Sequence, residues 1–88
     1  MFLVELRFGP EPERLALRPA HRGLLTRWYA DGLVQAAGPF DDGSGSLVLF
    51  TVDDEQRLDE LLKKDPYYSA PGVTVVRKQR WSPLPLAE

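Results

Sequence analysis

The sequence predicts an α+β protein with the ferredoxin-like β-α-β-β-α-β order, a four-stranded antiparallel sheet with two helices on one face. Three observations predict it. Four β-rich runs, at residues 2–8, 33–37, 46–52 and 73–81, are bounded by glycine and proline. The stretches between the first and second runs, and between the third and fourth, carry apolar residues at helical spacing. The 88 residues make one domain, 1–88, with residues 82–88 as an extended C-terminal tail.

Each element has its own local cause. In the first strand Phe2, Val4, Leu6 and Phe8 share one face. Gly9-Pro10-Glu11-Pro12 breaks it, and residues 13–18 read as a polar loop or short turn. Pro19 suits the first turn of a helix, where a missing N–H costs nothing. That helix is expected to run to Asp31, with Gly32 as its C′ residue. The short second strand stops at Gly38-Pro39. The turn-rich segment from Phe40 to Gly45 leads into the strongest strand, 46–52. Asp53 or Asp54 caps a second helix that has acidic residues in its first turn and Lys63-Lys64 in its last. Asp65-Pro66 ends it, because the residue before proline is pushed out of helical geometry. A loop over 67–72 precedes the last strand.

Composition excludes several classes. The chain has no cysteine, so disulfides, thiol nucleophiles and cysteine-ligated zinc or iron–sulfur centres are ruled out. One histidine and scattered carboxylates have no metal-ligand spacing, so no metal and no cofactor are expected. A net charge of −2 gives no basic field for nucleic acid. The strongest strand also lacks the aromatic and basic pattern of an RNA-binding sheet. No apolar stretch approaches a membrane span, and the N-terminus lacks the basic region and cleavage site of a signal peptide. A cytoplasmic protein is expected. Chains this short bury only about 60–65% of their unfolded surface, so oligomerisation is the obvious further source of stability.

The strand at 46–52 is apolar on both faces, with Leu47 and Leu49 alternating with Val48, Phe50 and Val52. A sheet with one solvated face alternates apolar and polar residues instead. Nothing in the chain is left to cover the second face, so a homodimer through the sheet face is predicted.

Two titratable residues fall on apolar helix faces, where they cost stability unless paired. His21 shares its face with Leu24, Leu25 and Trp28. Asp65 follows Leu58, Leu61 and Leu62 at equivalent spacing. In this topology the start of the first helix, the end of the second, and the turn between strands two and three all lie at one end of the sheet. His21 and Asp65 are therefore expected to pair. A carboxylate fixes the tautomer of a neighbouring imidazole and stabilises its protonated ring, while a helix N-terminus opposes that charge. The pair is the candidate for acid–base catalysis. Gly43, Ser44, Gly45 and Ser46 offer backbone N–H and hydroxyl groups to a substrate oxygen. Tyr67 and Tyr68 stand ready to shape a pocket or donate a phenolic proton. Each of these residues also has a plain structural role as core, cap or turn. Their joint placement at one end is what favours function.

Taken together, Arg18-Pro19-Ala20-His21, Gly38-Pro39-Phe40, Gly45-Ser46, Asp65-Pro66-Tyr67 and Gly72-Val73 resemble the YCII-related (YciI-like) family, of the dimeric α+β barrel class. The resemblance runs from the first strand to Trp81. It implies a homodimer with facing sheets and a His–Asp active-site pair at His21 and Asp65. It also implies a serine contribution from Ser46. Pro39, Phe40, Gly45 and Tyr67 complete the candidate substrate-binding set. The compact loop after strand two and the proline-rich tail depart from the family pattern.

Two functions follow as expectations. One is a small cofactor-independent enzyme that moves a proton through His21 in an abstraction, isomerisation or elimination on a small organic molecule. The other is a non-catalytic small-ligand-binding or regulatory module built on the same pocket.

Overall fold

Alternation along the first strand sets the layering. In β1 (Phe2–Phe8), Phe2, Val4 and Leu6 are buried beneath the helices, and Leu3 and Glu5 between them face the other way. The computed structural model describes residues 1–86. β1 is followed by α1 (Glu13–Ala30), β2 (Val34–Pro39), β3 (Gly45–Phe50), α2 (Glu55–Lys64), a 3₁₀ helix (Pro66–Ser69) and β4 (Val73–Arg80). The sheet order is β2-β3-β1-β4 with every neighbour antiparallel. This is the ferredoxin-like arrangement that the sequence predicts.

The core lies between the sheet and the helices. Val48 and Phe50 of β3 and Val34 of β2 meet Trp28 of α1 and Leu58 and Leu61 of α2. Behind β1 and β3, Leu3, Leu47 and Leu49 stay half-buried, on a face over which the described residues place no second layer.

α1 departs from expectation. It begins at Glu13, six residues before Pro19, which lies inside the helix. Glu13 to Arg18 are all good helix formers, and Pro19 is exposed, so the carbonyl it leaves unpaired can turn to water. Pro12 takes the flanking position at the start instead. His21 consequently sits two turns into the helix. The macrodipole fades within the first turn, so the expected opposition of the helix N-terminus to a charged imidazole does not apply.

The C-terminus of α1 follows the expected chemistry. Gly32 has φ +78°, its N–H donates to Tyr29 O at 3.1 Å, and Leu33 N–H donates to Trp28 O at 2.7 Å. This paired closure needs a left-handed residue at C′. Of the two candidate caps for α2, Asp54 serves, accepting from Arg57 N at 2.7 Å.

β2 runs through Gly38-Pro39 rather than stopping before them. It is an edge strand, where a proline forfeits no ladder bond. β3 starts at Gly45, where a Cβ would lie 1.9 Å from Leu6 O. Only glycine lets the two strands approach so closely. Past β4, Trp81 N–H donates to Met1 O at 2.9 Å. Leu84 and Leu86 of the tail are exposed, and residues 87–88 lie outside the described residues. Among the described residues, no helix is long and apolar enough to cross a membrane.

Candidate functional site

The spacing that puts His21 with Leu24, Leu25 and Trp28 turns its ring inward, leaving it 6% exposed. Asp65 is 2% exposed. It closes α2 and opens the 3₁₀ helix, in an extended conformation (φ −114°, ψ 108°) that the following proline favours. The two side chains meet, with His21 Nδ1 and Asp65 Oδ2 2.5 Å apart. The second carboxylate oxygen, Oδ1, accepts from Tyr67 N–H at 3.0 Å. With both oxygens engaged, the carboxylate has a fixed orientation.

Aromatic rings hold the imidazole on two sides. Tyr67 stacks on it, centroids 4.1 Å apart and planes within 10°. Tyr68 meets it edge-on at 5.5 Å. The Tyr68 hydroxyl is buried without a hydrogen-bond partner. Burial, with the Asp65 charge behind it, pushes this phenol well above its usual range, so Tyr68 stays a neutral ring. Tyr67 is tied in turn to Arg14, whose Nη1 donates to the tyrosine hydroxyl at 3.2 Å. The Arg14 guanidinium lies 4.0 Å from the centroid of the Phe8 ring.

A cavity of about 580 Å³ opens beside this cluster, between α1 and strands β2 and β3. His21, Pro39, Ser46 and Tyr67 line it, and Asp65 lies behind His21, outside the lining. Since Nδ1 is turned to Asp65, the Nε2 edge of the ring is left for the cavity. Nε2 has no hydrogen-bond partner among the described residues, and it is not among the sealed, unpartnered atoms. Ser46 is 9% exposed, and its Oγ is buried with no partner.

Phe40 and Gly45 do not reach the lining. The turn between β2 and β3 spends its own polar groups: Gly43 N–H donates to Phe40 O, and Ser44 N–H to the Asp42 carboxylate, each at 2.9 Å. The Ser44 side chain, and then its backbone N–H, hold the Asp42 carboxyl below its usual range. The expected cradle of loop amides is therefore largely used up, and Ser46 is the member of that segment that reaches the cavity.

Sequence reasoning missed Phe8, Arg14, Arg18 and Arg22, all of which line the cavity. The signal existed. The three arginines stand four residues apart, a spacing that forms one row once residues 13–18 are helical. Placing those residues in a loop hid it. Among the described residues, no group of three His, Asp or Glu side chains could hold a metal ion.

Fold and site together define a small α+β protein with a buried His–Asp pair at the end of a ferredoxin-like sheet. The chain belongs to the YCII-related domain family, which it matches over residues 1–82. It is also similar in structure to 5-chloro-2-hydroxyhydroquinone dehydrochlorinase (TftG) from Burkholderia phenoliruptrix AC1100, solved in complex with 2,5-dihydroxybenzoquinone. The TM-score is 0.71 at 21% identity, over 93% of this chain and 94% of that one. At that identity the likeness is one of fold. No curated protein matches the chain.

Proposed function

We propose that this protein is a small enzyme acting on a small organic molecule, with His21 as general acid–base and Asp65 as its positioning partner. The observation that carries the reading is the 2.5 Å contact between Nδ1 and Oδ2, set against a cavity that His21 itself lines. With Nδ1–H donating to the carboxylate, the lone pair of the neutral ring is on Nε2. Nε2 takes a proton from a substrate carbon or hydroxyl. The electron pair left behind either moves a double bond or expels a leaving group. The imidazolium, steadied by the Asp65 carboxylate, then returns its proton to another substrate atom or to water. Ser46 Oγ supplies a hydrogen bond to a substrate oxygen, and Tyr67 keeps the imidazole in plane. The chemistry asks for no cofactor. A fold neighbour that is a dehydrochlorinase supports elimination as the first reaction to try, with halogenated and hydroxylated aromatic compounds as first substrates.

The sheet face bearing Leu3, Leu47 and Leu49 is the proposed homodimer interface. Light scattering should give twice the chain mass, and a monomer would refute it.

The test of the enzyme reading is His21→Gln, which keeps a polar side chain of similar reach. Turnover of any compound the wild type converts should fall by about 10²-fold or more, with the fold intact by circular dichroism. Undiminished turnover would remove His21 from the chemistry. A compound that raises Tm without being consumed, under every condition tried, would favour the binding module instead.

A further inference from the structure

The cavity beside His21 has a sign. The whole chain carries 13 acidic side chains against 11 basic ones, yet the lining holds Arg14, Arg18 and Arg22 and, among the described residues, no carboxylate. The three arginines are one turn apart on the same face of α1, where like charges repel. Arg18 and Arg22 are exposed to solvent. The Arg18 and Arg22 guanidinium groups enter no hydrogen bond or ion pair among the described residues. Arg14 is held differently, clamped between the Phe8 ring and the Tyr67 hydroxyl, with its Nε buried and unpartnered. Opposite the helix, in β3, Ser46 Oγ is likewise buried and unpartnered. A buried polar atom without a partner costs stability; both of these belong to residues that line the cavity, where a small side-chain rotation would bring them to a ligand.

Much of the remaining wall is apolar, with Leu25, Val34, Pro39 and Val48 among its residues. A volume of about 580 Å³ is that of a small-molecule site. We infer that the cavity is an anion site for a ring compound bearing an ionised phenol, enol or carboxylate, with Arg18 and Arg22 as the specificity-determining residues. The apolar wall takes the ring, the arginines take the negative charge, and Ser46 takes a ring oxygen. A polymer backbone would find the arginine row but not the enclosed serine, so nucleic acid is the poorer fit. The inference rests on the reading that this cavity holds the substrate, and it names the substrate's charge class.

The test is binding, followed by NMR titration of the full chain with matched pairs of probes. One pair is 2,5-dihydroxybenzoquinone, ionised at neutral pH, against its neutral dimethyl ether. The other is salicylate against salicylamide. At least one anion should bind more tightly than its neutral counterpart, weaken with added salt, and shift the resonances of Arg18, Arg22 and Ser46. Arg18→Gln and Arg22→Gln keep helix propensity, and each should weaken the anion by about tenfold or more while leaving the neutral probe unchanged. Neutral and charged probes binding alike would overturn the inference. So would unchanged anion affinity in both arginine variants, or no binding of either anion up to millimolar concentration. His21→Gln separates this from the catalytic reading. Anion binding should persist in that variant whatever becomes of turnover, so the two readings fail independently.

Discussion

Asp65→Asn should invert the tautomer of His21, and the geometry dictates the direction. The carboxylate has two commitments: Oδ1 accepts from Tyr67 N–H at 3.0 Å, and Oδ2 faces His21 Nδ1 at 2.5 Å. An asparagine in the same place has only one oxygen. Tyr67 N–H can only donate, so that oxygen must stay on the backbone side. The amide NH₂ then points at Nδ1, which must become the acceptor, and the ring proton moves to Nε2. Nε2, the nitrogen of the proposed proton transfer, loses its lone pair without any change in packing. Exchanging a charge-assisted hydrogen bond for a neutral one costs about 1–2 kcal/mol, which is about 4–16 °C in Tm for a domain of this size. Asp65→Ala strands both donors in a site 2% exposed and should cost about 3–5 kcal/mol. With one histidine in the chain, imidazole ¹⁵N shifts read the tautomer without assignment ambiguity. The wild type should show Nδ1–H in its neutral ring, and Asp65→Asn should show Nε2–H. Turnover in the Asn variant should fall by about 10²-fold or more. An unchanged tautomer, or an alanine variant no less stable than the asparagine one, would refute the reasoning.

Three further outcomes can be checked by thermal and chemical denaturation. Burial raises the Tyr68 phenol in the folded chain, so above its ordinary value of 10.0 the unfolded chain releases a proton that the folded chain keeps. Stability is therefore fully present below pH 10.0 and falls by about 1.4 kcal/mol for each pH unit above it. Tyr68→Phe should remove the part of that loss due to the phenol, leaving the part from Lys78, which its bonds to Asp59 and Glu55 also raise; at neutral pH it should be neutral or stabilising by up to about 1 kcal/mol, because it removes an unpartnered hydroxyl. Pro19→Ala restores an N–H to the middle of α1 and should raise stability by about 1–3 kcal/mol; a lower Tm would mean that the proline shapes the helix usefully. Gly45→Ala places a Cβ 1.9 Å from Leu6 O and should cost about 1–3 kcal/mol or more as β1 and β3 are forced apart, whereas an unchanged Tm would show that the strand pairing yields freely.

How far the sequence could be read depended on whether a signal was local or assembled. The strand alternation of Phe2, Val4 and Leu6, the Gly32 closure and the Asp54 cap are local, and each element stands where its own residues put it. The meeting of His21 with Asp65 was legible in part: topology brings the start of α1 and the end of α2 to one end of the sheet, although His21 lies two turns inside α1. The α1 start was not. A rule that favours proline in the first turn competed with six consecutive good helix formers, and the longer run prevailed. That error concealed the arginine row, since Arg14 joins Arg18 and Arg22 only when residues 13–18 are helical. The fate of the β2–β3 turn was illegible for another reason. Its glycines and serines can satisfy each other as readily as a ligand, and only the fold decides that Ser44 N–H turns back to Asp42 while Ser46 Oγ is buried without a partner.

The segment Asp65-Pro66-Tyr67-Tyr68 explains why the site falls where it does. Pro66 forces Asp65 out of helical geometry, and this both ends α2 and turns the carboxylate toward α1. The same carboxylate caps the 3₁₀ helix through Tyr67 N–H, which places the Tyr67 ring flat on the imidazole that Oδ2 is holding. One side chain therefore sets the helix end, the turn and the histidine orientation together. A carboxylate used only as a cap could be replaced by asparagine at little cost. A carboxylate used only to orient an imidazole would not also need Tyr67. The consequence is that structure and chemistry separate at this residue in a particular way. The Tyr67 backbone bond survives the change to asparagine while the tautomer does not, so a stable, well-folded Asp65→Asn protein that has lost turnover is the signature of a site built around His21 rather than of a helix end that happens to lie beside it.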